Sequence, residues 1–399
     1  MLAPDPDTAT LRLHTDALLE IDARGRITRL SDAPPDCEVP ETWPGAVVLP
    51  GFVDVHLHYP QTRVIGSASG PLLPWLERSV FPEEARFAER EYAAAVADEF
   101  CDHMIRQGTT CAAIYSSSHP IACEILLETL ARRGLRAEAG MTLMDRHAPA
   151  DVLLDVGPAM AASAELLARW HGYDDDRLRL SVIPRFAISC TPALLRAAGA
   201  FADAHALSVQ THIAENRDEI TATLDLFPEA RDYLEVYESH GCASDRTILA
   251  HCIHLSEDEW SRVAGSDVAV AHCPDSNFFL GSGCMNLQAA LDRGVRVGLG
   301  TDVGAGRTFS LRRTAAAAHD ASLIQGAGVA PEVLLWLATR GGARALRKRD
   351  LGCLAPGYEA DLAVVQAPEQ LELAPLIDAL LFRHDAGPVT ATVVRGRVV

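Results

Sequence analysis

The sequence predicts an α/β fold, a (β/α)8 TIM-like barrel over residues 50–349 with a small β-sandwich domain formed jointly by residues 1–49 and 350–399. Three observations carry this. Strand-like and helix-like runs alternate from Phe52 to Asp302, eight strands in all, over the length such a barrel with insertions needs. The rival, a doubly wound sheet, lacks its phosphate fingerprint: Gly298-Leu299-Gly300 is followed by Thr301-Asp302-Val303 before the next glycine, so the spacing fails. Both chain ends read as strands too few to enclose a core alone, and chain termini often lie close together, which suits one split domain.

Residues 1–49 read as LRLHTDALLEID, a turn at Ala23-Arg24-Gly25 and RITRL, then a proline-rich linker over 32–44. The first barrel strand is FVDVH. A helical run over 83–106 ends at Gly108 and gives way to TTCAAIY. The next helix, Pro120–Arg133, stops at Gly134, because glycine takes up the left-handed turn that closes many helices. LRAEAGMTL follows. Helix 158–170 precedes LRLSVIPRFAI, and helix 191–205 precedes LSVQTHIAE. RTILAH, VAVAHC and VRVGLGTD complete the set, with helical runs near 217–239, 256–264 and 286–293. Beyond residue 350, ADLAVVQ and TATVVRGRVV read as strands that pair with the N-terminal ones.

Composition narrows the function classes. Hydrophobic residues at 48 % and charged ones at 22 % are ordinary for a soluble globular chain. No apolar run is long enough to span a bilayer, and MLAPDPDTAT has acids and prolines where a secretory signal needs basic and apolar segments, so the expected location is cytoplasmic. A net charge of −19 repels nucleic acid and anionic membrane surfaces. A free small molecule is the expected partner. The ten cysteines form no C-x-x-C pair and read as reduced, buried small hydrophobes.

The chemistry is placed at the strand ends. His56 and His58 close the first strand, and residues two apart on a strand share a face, so both imidazoles can converge on one point. Among fifteen histidines a lone H-x-H says little. In a barrel, however, the C-terminal strand ends form one rim, and catalytic residues come from several of them. Here the fourth strand ends in Arg185 and Phe186, the fifth in His212 and Glu215, the sixth in His251, the seventh in His272 and the eighth in Asp302. The expected ligand set is His56, His58, His212 and Asp302, an open site that suits one zinc ion first and iron second. The sole lysine, Lys348, lies past the last barrel strand, so no lysine-bridged second metal is expected. Water acidified by a metal needs a base and an acid: Asp302 is placed as base, Glu215 to face the substrate, and His251 to orient the water or the developing oxyanion. His254 and His272 are expected to pack or support, as are the carboxylates Asp54 and Asp275. The other nine histidines, His384 among them, read as structural or solvent-facing.

PGFVDVHLHYPQTRVIG, PRFAISC, QTHIAENRDEI, LAHCIHLS, AHCPDSN and GLGTDVGAG, in that order over about residues 48–310, resemble the amidohydrolase superfamily and, within it, the guanine deaminases. The closer likeness rests on His58-Tyr59-Pro60-Gln61, Pro184-Arg185-Phe186 and the run from His212 to Glu219. The resemblance implies zinc on His56, His58, His212 and Asp302, and Glu215 as the proton carrier to the ring. It also implies Gln61 and Arg185 on the purine edge, Phe186 against its face, and a homodimer. The implied reaction is guanine plus water to xanthine plus ammonia. Donors from arginine and glutamine match a carbonyl and ring-nitrogen edge, and such a site rejects analogues lacking those partners. Sister reactions on 8-oxoguanine, a pterin, an aminotriazine or cytosine use the same fold and metal. A non-catalytic barrel kept as an interaction module is disfavoured, because every ligand is retained. Arg307 and Cys284-Met285 depart from the family pattern near the rim and are expected to bear on pocket shape.

Overall fold

Eight parallel strands stand side by side in chain order in the computed structural model: β1 (Phe52–His58), β2 (Thr109–Tyr115), β3 (Arg136–Gly140), β4 (Leu178–Pro184), β5 (Ser208–Ile213), β6 (Thr247–His251), β7 (Ala269–His272) and β8 (Arg296–Leu299). The structure describes residues 1–33, 41–68, 70–367, 372–383 and 387–399. Cys37, His384 and most of the proline-rich linker lie outside the described residues.

Burial on both faces explains the strands' near-continuous apolar runs; every residue of β1 and β2 is buried. Val53, Val55, Ala113, Ala250 and Ala271 fill the barrel, while a larger core, including Phe100, Leu126 and Leu195, lies between strands and surrounding helices. The row of strands is drawn into a nearly closed ring at the rim, where the Asp302 N–H donates to His56 O at 2.8 Å and the His58 N–H to Val303 O at 2.9 Å. Glycine permits this approach, since a Cβ on Gly300 would stand 2.8 Å from that of His56. β1 carries one extra residue relative to β2 between Asp54 and Leu57, a bulge just where the two histidines leave the strand.

Helices depart from expectation in two places. The run at 83–106 starts at Arg90, and residues 72–88 before it form consecutive short helical turns, Leu72–Trp75, Leu76–Val80, Phe81–Ala85 and Arg86–Ala88. Their apolar faces, with Leu72, Trp75, Leu76, Val80 and Phe81 buried, pack against Phe186, Ile188 and Leu280 over the rim. The helix over 217–239 is two, Arg217–Leu226 and Tyr233–Ser239. Pro228 falls in the gap, and a proline has no N–H to continue a helix and disfavours helical geometry in the residue before it.

The chain ends meet as expected. Ala46–Pro50 pairs antiparallel with Leu362–Gln366, which pairs with Val389–Val394. Two hairpins, Leu2–Pro4 with Leu11–Leu13 and Ala17–Ile21 with Ile27–Asp32, complete the small β region. Ala3, Ile27, Val48, Leu362 and Val393 form its core. Arg136 of β3 fastens it to the barrel through Glu359 at 2.5 Å and Asp361 at 2.6 Å, all three buried. Among the described residues, no helix is long and apolar enough to cross a membrane.

Candidate active site

The strand ends converge on one cavity. His58, Gln61, Arg185, Phe186, His212, Glu215, His251 and Asp302 line it, and Leu72, Trp75, Leu76, Leu280 and Ala305 cover it. Eight of the nine residues singled out from the sequence therefore share the cavity wall. The ninth, His56, stands directly behind, its Nε2 3.2 Å from Asp302 Oδ1.

Donor atoms crowd at the base. His58 Nε2 lies 3.3 Å from His56 Nε2, 3.2 Å from His212 Nε2 and 3.3 Å from Asp302 Oδ1. His56, His212, His251 and Asp302 each place one ligand atom within 4.8 Å of the others. His56, His212 and Asp302 belong to both groups, and either His58 or His251 completes four donors, the number a tetrahedral metal needs. The tautomer of His212 follows from its neighbour: Nδ1–H donates to Arg185 O at 2.6 Å, so Nε2 turns a lone pair to the cluster. Lone pairs of several imidazoles facing one another are unfavourable without a cation between them, so this donor set fits a metal. Burial lowers the pKa of His56 and His212, and takes His58 to about 3, keeping the imidazoles neutral. Burial alone would raise Asp302, but contacts with His56 and His58 outweigh it and hold the carboxyl well below the usual range. Neutral imidazole with an ionised carboxylate is the protonation a cation requires.

Asp54 sets Asp302 in place. Its carboxylate accepts from Thr301 Oγ1 at 2.5 Å, the Thr301 N–H at 3.1 Å and the His56 N–H at 3.2 Å, tying β1 to the segment after β8.

Glu215 lines the cavity beside His251. It is 2 % exposed, and burial, reinforced by the charge of Asp302, pushes its carboxyl up to about 8. Ser282 Oγ donates to Oε1 at 2.9 Å, and Oε2 lies 3.5 Å from His251 Nε2. Glu219 accepts the N–H groups of Glu215 and Asn216, fixing the turn that presents the acid. His251 Nδ1 donates to Asn277 Oδ1 at 2.9 Å, which aims Nε2 at Glu215 and Asp302 Oδ2.

Arg185, Gln61 and Phe186 also line the cavity, each nearly fully buried. Glu84 on Phe81–Ala85 bonds both Arg185 and Gln61. His254 supports from outside, its Nε2 donating to Ser282 O at 2.9 Å, and His272 is wholly buried. Arg307 is turned to Asp275, which accepts its N–H at 2.6 Å and its side chain at 2.5 Å, and neither Arg307 nor Cys284 nor Met285 lines the cavity. The expectation that these shape the pocket fails because Asp275 captures the arginine. Lys348 lies at the opposite end of the barrel from the rim, paired with Glu138 at 2.7 Å.

Sequence reasoning missed Glu84, Asn277, Ser282, Glu219 and the helical cover. Only Glu219 had a readable signal, the Asn216-x-x-Glu219 capping box.

A model of the amidohydrolase family matches residues 47–399. The guanine deaminase of Escherichia coli (strain K12) is 35 % identical over 415 aligned positions, covering 99 % of this chain and 94 % of that protein. The guanine deaminase of C. acetobutylicum, solved with guanine bound in its active site, superposes with a TM-score of 0.93 at 27 % identity, covering 100 % of this chain and 98 % of that one. An adenosine deaminase from Xanthomonas campestris with bound zinc gives 0.84 at 25 % identity, covering 96 % and 88 %.

Proposed function

The chain belongs to the amidohydrolase family, and from that premise we propose that it is a guanine deaminase, releasing xanthine and ammonia from guanine and water with one zinc ion, iron being the second choice of metal. The observation that carries the reading is one small cavity holding the donor cluster, the Glu215 carboxyl and a hydrogen-bonding edge made by Arg185 and Gln61. Its support is the likeness to guanine deaminases over nearly the whole chain.

His56, His58, His212 and Asp302 would hold the metal, leaving His251, whose Nε2 is turned toward Glu215, free to orient. A zinc ion held by these residues would supply acidity to a water that serves as nucleophile. Arg185 and Gln61 bind the carbonyl and ring-nitrogen edge, and Phe186 lies against the ring face. Glu215, with a pKa of about 8, keeps a proton on its carboxyl at neutral pH and passes it to the ring nitrogen beside the amino-bearing carbon. Asp302 Oδ2 is the base, and His251 Nε2, 3.9 Å away, orients the groups between it and Glu215. Leu72, Trp75 and Leu76 close the cavity over the substrate and exclude bulk water. The carbon then carries oxygen where it carried nitrogen, and ammonia leaves.

A free purine as substrate, a cytoplasmic location and a homodimer belong to the same proposal. Eight buried free thiols among the described residues suit a reducing compartment.

The test is a substrate panel with zinc-loaded protein: guanine, 8-oxoguanine, a pterin, an aminotriazine and cytosine. Guanine is expected to turn over fastest, with xanthine and ammonia in equal amounts. No guanine turnover, or faster turnover of another ring, defeats the reading.

A further inference from the structure

Glu84 stands where the purine-facing residues of two separate elements meet. It belongs to the helical cover, on Phe81–Ala85, and is 2 % exposed. Its two oxygens are divided between two partners: Oε2 accepts from Arg185 Nη1 at 2.6 Å, and Oε1 accepts from Gln61 Nε2 at 3.3 Å. Gln61 Oε1 accepts the Gly304 N–H at 3.1 Å. A carboxylate cannot donate and a backbone N–H cannot accept, so these two contacts determine which way the amide faces. One N–H of Gln61 remains for a ligand. Arg185 has Glu84 on one side and the Phe81 ring, 5.4 Å from its guanidinium carbon, on another. Its Nε and Nη2 have no protein partner among the described residues, and the side chain lines the cavity.

A charge is set against this geometry. An uncompensated guanidinium in so buried a place would attract an anion, whereas one neutralised at short range offers directed hydrogen bonds with little net charge. Guanine is neutral, and purines bearing more carbonyl groups lose a proton more readily.

We propose that Glu84 is a positioning residue that holds Arg185 and Gln61 as one recognition edge and makes the pocket favour neutral over anionic oxopurines. The inference rests on the reading of the site as a guanine deaminase. It also accounts for release of the more acidic dioxopurine product, which finds no uncompensated guanidinium to hold it.

Glu84→Gln keeps the shape and removes the charge; Glu84→Asp keeps the charge and shortens the reach. Steady-state kinetics on guanine are read alongside competitive inhibition by urate, an anion at neutral pH. In Glu84→Gln, KM is expected to rise about tenfold with kcat held within about threefold, the signature of lost binding and not lost chemistry. Inhibition by urate is expected to tighten about tenfold, because Arg185 has lost its counter-charge. In Glu84→Asp, KM rises while urate inhibition stays as in the wild type. A general loosening of the pocket would weaken both ligands together, and that outcome overturns the proposal. So does wild-type KM and urate inhibition in both variants, with the functional reading left standing. Should Glu84→Gln fail to fold, Glu84→Asp decides through its KM. A wild-type protein inactive on guanine removes the functional reading, and this inference with it.

Discussion

His251 adopts φ 73°, and Cys252, Ala214 and Asp302 share the left-handed region at 51°, 49° and 49°. Each such non-glycine residue costs about 1–3 kcal/mol, and such residues gather at functional sites. Here they lie at or just past the ends of β5, β6 and β8, where the backbone turns to present a side chain to the cavity. His251 depends further on Asn277, which accepts from Nδ1 and so fixes the tautomer. Replacing Asn277 by Leu is expected to lower kcat on guanine about 10- to 100-fold, the usual cost of removing such a partner, while the thermal melt stays cooperative. Unchanged turnover would mean that His251 needs no orientation. The clustered histidines and Glu215 were legible as rim residues because strand ends and short spacings are local facts. Asn277 and Ser282 were not, because nothing in AHCPDSN or LGSG distinguishes a polar residue that supports the site from one that faces water.

At the level of elements, the cover over the rim and the fastening of β3 matter most. Residues 72–82 hold no long helical period, because Pro74 and Pro82 interrupt it. They form short helical turns instead, stabilised by burial of Trp75, Val80 and Phe81 against the barrel loops. The gain comes from tertiary packing, as it does for most short helices. Helix 217–239 fails for the converse reason, a proline whose effect outweighs the surrounding pattern. β3 carries Arg136, whose buried guanidinium answers two buried carboxylates, Glu359 and Asp361, from the C-terminal segment. Removing one partner from such a cluster strands charge in a low dielectric. Arg136→Met is expected to cost about 3–5 kcal/mol in urea unfolding at neutral pH. A loss under about 1 kcal/mol would show that the cluster is hydrated and unimportant to the attachment.

At the scale of the whole molecule, the helices Leu311–Ile324 and Leu373–Phe382 lie together and expose Leu323, Ile324 and Phe382, the last 5.0 Å from the His319 ring. Covering these side chains in the proposed homodimer would remove large apolar groups from water. Sedimentation is expected to give twice the 42.9 kDa chain mass, falling to one chain in Ile324→Glu; a wild-type monomer would contradict the dimer. The barrel, the pairing of the chain ends and the rim residues all follow from alternation of strand and helix runs and from residues placed at strand ends. Those signals survive in one dimension because side-chain period and strand termini are properties of neighbouring positions. Tertiary structure alone decided that Glu84 would bridge Gln61 and Arg185, that Asp275 would take Arg307 away from the cavity, and that residues 72–88 would close over the rim. Each of these joins residues far apart in the chain, and the choice among partners is made by which surfaces are buried together, information that no local pattern contains.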